Sequence, residues 1–151
     1  MELREQMRRI NSDLSRTMDL YRVWARKCGL NYNTLLVLYV LDDLEVCTQK
    51  QICEWWALPK QTVHGILLEL EKKGYLETGV NAENRRERLI RFSADGRRYA
   101  RSVLGPLHQM EENAMRRMGP AGCRELQESA AAYCRALWEE LENGESAGKE
   151  V

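Results

Sequence analysis

Apolar residues recur every three or four positions at the start of the chain and predict a long amphipathic helix. This spacing places side chains on one helix face, and the polar residues between them keep that face narrow. A narrow stripe on a helix of this length is typical of a helix that packs against a partner helix. Gly29 is placed to end it. The stripe comprises Leu3, Met7, Ile10, Leu14, Met18 or Tyr21, Trp24 and Cys28.

Three shorter helices are predicted next, each with a residue suited to start it. Asn31 can cap the first, and Thr48 opens the second in a T-x-x-Q capping box with Gln51. Pro59 suits the first turn of the third, because its missing N–H costs nothing there. Gly74, after two lysines, ends the third. The apolar positions of the three helices include Leu35, Leu36, Leu38, Tyr39, Leu41, Ile52, Cys53, Trp56, Val63, Ile66, Leu67 and Leu70.

The apolar period then changes from helical to extended. Residues 75–78 and 89–92 are short runs of aliphatic, aromatic and β-branched residues that flank a polar stretch, residues 81–88, suited to a hairpin tip. Ser93 can cap a further helix, in which Gly105-Pro106 should produce a kink and Gly119-Pro120 a break. A last helix again has apolar residues at spacings of three and four.

This order of elements is that of a winged helix-turn-helix protein. The expected fold is mainly α, with a small two- to three-stranded β wing and additional N- and C-terminal helices. The expected organisation is a dimerisation helix at residues 1–28, the winged lobe at 29–100, dimerisation helices at 101–142 and a frayed tail at 143–151. The residues assigned to the dimer interface are Leu3, Met7, Ile10, Leu14, Leu126, Tyr133, Leu137 and Leu141.

Charge is unevenly distributed along a chain whose formal net charge is zero. Residues 60–101 contain ten basic and six acidic side chains, a net charge of +4, whereas residues 111–150 contain five and nine, a net charge of −4. The positive segment coincides with the predicted second helix of the motif and the wing. Such concentration of charge is what a phosphate-binding surface requires.

Several other classes of protein are not supported. No apolar run approaches the roughly 20 residues that span a bilayer, and the charged N-terminus has no signal-peptide core, so a cytoplasmic protein is expected. The five cysteines lack C-x-x-C spacing and only two histidines occur, so we expect reduced thiols and no metal. Neither a phosphate loop nor a nucleophile motif is present, so neither an enzyme nor a cofactor is predicted.

The candidate nucleic-acid contacts lie in the two parts of the positive segment. A recognition helix fits the major groove, and its polar first residues are Lys60, Gln61, Thr62 and His64. Arginines at a thin hairpin tip can enter the minor groove, and here they are Arg85, Arg86 and Arg88. Thr48 and Gln49 are assigned to phosphate contact or helix capping. The alternative interpretation is that these residues only form exposed, solvated turns.

The stretch TQKQICEWWALPKQTVHGILLELEKKGYLETGVNAENRRERLIRFSADGRR resembles the MarR family of bacterial transcription regulators. The motifs of the family occur in it in register. They are a cap and first helix, the recognition core Thr62-Val63-His64, the end of the recognition helix at residues 70–74, the wing motif at residues 84–86 and the start of the following helix at residues 92–96. Two positions depart from the family pattern. Asn84 replaces an aspartate that orients the wing arginines, and His64 replaces a small serine.

The resemblance implies a homodimeric regulator, a repressor rather than an activator, acting on a pseudo-palindromic DNA site. It also implies an aromatic or lipophilic effector bound between the dimer helices and the DNA-binding lobe. The residues assigned to such a pocket are Met18, Tyr21, Trp24, Tyr32, Tyr39 and Tyr99, although a stripe of this kind is also typical of an ordinary core. Two alternatives remain: redox sensing through a cysteine such as Cys28, and a helical module that binds an acidic protein.

Overall fold

A computed structural model of the chain describes residues 2–147, which form five helices and one antiparallel hairpin. The elements are α1 Leu3–Lys27, α2 Tyr32–Leu44, α3 Gln49–Trp56, α4 Lys60–Lys72, β1 Leu76–Val80, β2 Arg88–Phe92 and α5 Ala94–Ala147. The predicted helical architecture with a β wing is confirmed. No helix among these residues combines the length and apolar character that crossing a bilayer requires.

Side-chain caps start the helices where the sequence predicts them. The Asn31 Oδ1 atom accepts a hydrogen bond from the Thr34 amide at 2.8 Å. At α3 both bonds of the capping box form, one from the Gln51 amide to Thr48 Oγ1 at 3.2 Å and one from the Thr48 amide to Gln51 Oε1 at 2.9 Å. Pro59 is the N-cap of α4 and not a residue of its first turn, so the predicted position is wrong by one residue.

The hairpin pairs Leu76 with Phe92 at its base and Val80 with Arg88 near its tip. Cys47, in the segment before α3, adds an isolated bridge to Ile90, with backbone N–O distances of 3.0 and 2.8 Å. A short third extended segment therefore joins the wing to the helices, in agreement with the predicted two- to three-stranded wing.

The chain divides into two compact units after Leu107. In the first unit α2 is the central element, because it is apolar on nearly every side and is therefore buried all round. The inner faces of α3, α4 and the first turns of α5 contribute Ile52, Val63, Leu70 and Leu104 to the same core. This core holds the helix-turn-helix and the base of the hairpin together.

The second unit begins at His108 and contains the rest of α5. Gly119 has φ 73° and ψ 166°, so the break predicted at Gly119-Pro120 is confirmed, although a helix resumes at once. Gly105-Pro106, where the sequence predicts a kink, keeps helical backbone angles. Since α5 continues to Ala147, the first part of the predicted tail is helical, and residues 148–151 of that tail lie outside the described residues.

Candidate nucleic-acid interface

The first two turns of α4 present polar side chains to solvent and apolar ones to the core. Lys60, Gln61 and His64 are exposed, Thr62 is half-buried and Val63 is fully buried. Residues four apart share a helix face, so Lys60 and His64 lie on the same side of α4. The sequence therefore placed the polar and apolar faces of this helix correctly.

A groove of about 470 Å³ lies between α3, α4 and the hairpin. Its basic lining comes from Lys50 on α3, from the start of α4 and from the wing, and leucine and isoleucine side chains supply apolar lining. The structure thus brings Lys60 and His64 together with Arg86 and Arg88, which lie more than twenty residues further along the chain. The lining residues are Gln49, Lys50, Cys53, Lys60, His64, Leu67, Leu68, Glu71, Thr78, Arg86, Glu87, Arg88 and Ile90.

A smaller concavity of about 320 Å³ adjoins the start of α4. It is lined by Gln49, Lys60, Gln61 and His64. The other candidate residues lie elsewhere. Thr62 and Arg85 line neither depression. Thr48 is buried and acts as the helix cap, which leaves little of its side chain for phosphate.

The wing tip is organised by asparagine side chains. Asn84 Oδ1 accepts a hydrogen bond from the Arg86 amide at 3.1 Å, and the Asn84 carbonyl accepts one from the Glu87 amide at 3.0 Å. This is an Asx turn, a conformation that asparagine supports without a charge. Asn84 therefore holds the backbone that carries Arg85 and Arg86.

Of the cations around the groove, Lys50 lies near an acid, with its Nζ 3.9 Å from Glu54 Oε1, whereas the candidate DNA contacts do not. Among the described residues, no carboxylate lies within 4 Å of the charged nitrogens of Lys60, Arg85, Arg86 or Arg88. The neighbouring Arg91 is different, because it pairs with Glu77 across the hairpin at 2.9 Å. Exposed cations without a partner are available to phosphate.

One thiol also faces the groove. Burial raises the pKa of Cys53, and this effect outweighs the opposing charge of Lys60. The thiol is therefore neutral at physiological pH and contributes apolar surface to the groove rather than charge.

Several groove residues were not identified from the sequence. Leu67, Leu68 and Glu71 follow Lys60 at helical spacings of seven, eight and eleven, a signal that could have placed them on its face. A hydrogen bond of 3.2 Å from Gln49 Nε2 to the Lys60 carbonyl joins the first residues of α3 and α4. No sequence pattern indicates that bond, because it depends on how two helices pack.

The six residues assigned to an effector pocket lie in the first unit. Neither of the two depressions described above includes any of them. The Tyr32 hydroxyl lies 3.5 Å from Met18 Sδ, and Trp24 Nε1 donates to the Val103 carbonyl at 3.1 Å. Two of the six also belong to ring pairs, Tyr39 with Trp56 at 5.9 Å and Tyr99 with Tyr75 at 4.7 Å. The assigned pocket stays a prediction.

Most residues assigned to the dimer interface are exposed. On α1, Leu3 is 82% exposed, and Met7, Ile10 and Leu14 are 44–48% exposed. In the second unit Leu126, Leu137 and Leu141 are 51–53% exposed, and Tyr133 is half-buried. Cys28, the redox candidate, is half-buried. Each unit therefore carries an apolar stripe at helical spacing on its surface.

Comparison with known proteins finds that the chain is similar to one family of regulators. The profile of the MarR family matches residues 29–87. NMB1585, a MarR family regulator from Neisseria meningitidis, superposes with a TM-score of 0.82 at 26% identity, over 92% of this chain and 98% of that one. No curated protein matches the sequence significantly.

Two more distant structures share the fold. The transcriptional regulator BldR from Sulfolobus solfataricus superposes with a TM-score of 0.69 at 14% identity, over 90% of this chain and 99% of that one. A point mutant of MepR from S. aureus was solved bound to an oligodeoxyribonucleotide. It superposes with a TM-score of 0.50 at 16% identity, over 91% of this chain and 99% of that one.

Proposed function

Because the chain belongs to the MarR family and is a transcription regulator, not an enzyme, we propose that it represses genes by binding pseudo-palindromic DNA sites as a homodimer. The observation that carries this proposal is the basic groove between α4 and the wing. There Lys60, His64, Arg86 and Arg88 converge from two elements. The MepR relative bound to an oligodeoxyribonucleotide has the same fold.

The two parts of the groove suit two parts of duplex DNA. An α-helix fits the major groove, where Lys60 can donate to guanine and Gln61 can pair with adenine. The wing arginines stand on a thin hairpin suited to the narrower minor groove. Recognition of base edges is thereby assigned to α4, and most of the sequence-independent affinity to the arginines.

A homodimer accounts for the exposed stripe on α1. Four large apolar side chains at spacings of four, three and four lie on one face of a helix that buries only Ala25. Pairing such stripes across a two-fold axis removes apolar surface from water. It also gives two recognition helices, which must reach successive major grooves about 34 Å apart.

Release from DNA would follow from any ligand that prefers a dimer with a different helix spacing. We propose an aromatic or lipophilic effector for this role. Met18 and Tyr32, which touch each other on α1 and α2, are the supporting feature. In thermal-shift titrations, a Tyr32→Ala substitution should weaken stabilisation by such a compound while leaving DNA affinity within about twofold.

Selection of bound duplexes from a random library tests the DNA-binding proposal and also reports half-site spacing. Binding of the selected duplex should weaken steeply with salt, because phosphate contacts release counterions. Arg86→Ala should lower the slope of log K against log salt by about one. The matched control is Arg98→Ala, which removes the same charge from a residue paired with Asp95 outside the groove. Absence of duplex binding at low salt would refute the proposal and favour an acidic protein partner.

A further inference from the structure

The recognition helix α4 starts without a side-chain cap of the kind that fixes α2 and α3. Asn31 caps α2 and Thr48 caps α3, each through a bond to a backbone amide. The N-cap of α4 is Pro59, whose side chain makes no such bond. The first turn of α4 carries Lys60 and Gln61, the side chains placed to read bases. Its position must therefore be fixed by contacts from another element.

Gln49 provides such a contact. Its Nε2 atom donates to the Lys60 carbonyl at 3.2 Å and so joins the first turns of α3 and α4. Gln49 is itself well fixed, because it directly follows Thr48, which is buried and makes both bonds of the capping box. The bond thus connects a rigid helix start to one that lacks its own cap.

Backbone geometry fixes the turn between the end of α3 and the start of α4. Ala57 adopts a left-handed conformation, with φ 50° and ψ 44°, and the Leu58 amide donates to the Cys53 carbonyl at 3.0 Å. Gln49 acts from the opposite end of α3. The start of α4 is therefore held between a tight turn and one side-chain hydrogen bond.

The amide of Gln49 also lies beside the candidate base-reading side chains. Gln49, Lys60, Gln61 and His64 line the same 320 Å³ concavity. Gln49 is half-buried there, whereas Lys60, Gln61 and His64 are exposed. This placement suits a residue that holds the candidate base-reading side chains in position and does not itself contact bases.

We propose that Gln49 is a positioning residue for sequence recognition, an inference that rests on the proposed DNA-binding function. Contacts to base edges require side chains placed within about 0.5 Å, whereas attraction to phosphate tolerates larger displacements. Loss of the Gln49 bond therefore reduces discrimination between DNA sequences more than it reduces general affinity for DNA. Through this bond Gln49 sets how well Lys60 and Gln61 discriminate bases.

The test is Gln49→Met, which keeps the length and charge of the side chain but removes the donor. Affinities for the selected operator and for a scrambled duplex are measured by fluorescence anisotropy at one salt concentration. The ratio of the two dissociation constants should fall about threefold to tenfold, the range expected for one hydrogen bond. Binding of the scrambled duplex should stay within about twofold. Gln127→Met, the same change at an exposed residue of α5, should alter neither value.

Hydrogen exchange of the DNA-free protein gives a second readout. Amides of residues 60–64 should exchange faster in Gln49→Met, while those of residues 52–56 keep their protection. Gln49→Ala, which has high helix propensity, repeats the measurement if the methionine variant is unstable.

Three results would overturn the inference. An equal loss of affinity for both duplexes would make Gln49 a simple phosphate contact. An unchanged ratio in a protein whose wild type discriminates would show that the bond has no part in recognition. A wild-type protein that binds both duplexes equally would instead refute the proposed sequence-specific function, and this inference with it.

Discussion

Gly96→Ala should destabilise the protein and displace the wing, because Gly96 lies against backbone that cannot rotate away. A Cβ at this position would lie 2.7 Å from the carbonyl carbon of Tyr75 and 2.9 Å from its Cα, and closer still to its oxygen. Cβ contacts below 3.0 Å are essentially never tolerated. Either the start of α5 or the segment leading into β1 must therefore move.

The cost of that movement follows from the hydrogen bonds at the same place. The Tyr75 carbonyl accepts from the Ser93 amide at 2.9 Å, and Ser93 Oγ accepts from the Gly96 amide at 3.0 Å. Ser93 Oγ also donates to the Gly74 carbonyl at 2.6 Å. Overpacking typically costs about 1–3 kcal/mol, and each weakened bond adds about 0.5–1.5 kcal/mol. We expect a loss of about 2–4 kcal/mol in the free energy of unfolding.

Urea unfolding followed by circular dichroism measures this loss, and operator binding measures displacement of the wing. For the unfolding measurement Gly65→Ala is the matched control, since Gly65 lies inside α4 and has nothing within 4 Å of an added Cβ. It should stabilise the protein by about 0.5–1 kcal/mol through helix propensity. A Gly96→Ala protein as stable as the wild type would refute the steric argument.

Three further outcomes are expected. Ala57→Gly should raise the free energy of unfolding by about 0.5–1 kcal/mol in urea titrations, because it relieves a left-handed conformation that penalises a Cβ. Asn84→Ala should weaken operator binding in anisotropy titrations by about threefold to tenfold, since the Arg86 amide loses its acceptor, whereas Asn81→Ala should have a smaller effect. Burial raises the pKa of the Cys47 thiol in the folded protein to about 11. As the pH rises, this thiol therefore ionises in the unfolded chain before it ionises in the folded protein. Stability should therefore be retained below about pH 8.5 and should fall as pH rises toward 11, which urea unfolding at about pH 8 and about pH 10 will detect.

The elements that the sequence predicted correctly are those determined by local chemistry. Asn31 and Thr48 form their caps because the partner amide lies three residues away, within one helical turn. Gly105-Pro106 was predicted to kink the helix, yet its backbone stays helical. The clash that usually disfavours a helix before proline involves the preceding Cβ, which glycine lacks. The proline therefore removes one hydrogen bond without ending the helix.

The groove could not be predicted because it depends on contacts between distant segments. Arg88 and Ile90 lie two residues apart on β2 and so share a face, but only the packing of the folded chain brings that face to the groove beside α3 and α4. The two backbone bonds of the bridge between Cys47 and Ile90 hold the wing to the segment that leads into Thr48 and the start of α3. The start of α3 is therefore connected both to the wing, through Cys47, and to α4, through Gln49. Under the proposed function, base reading and phosphate binding would be coupled through the N-terminus of this single short helix.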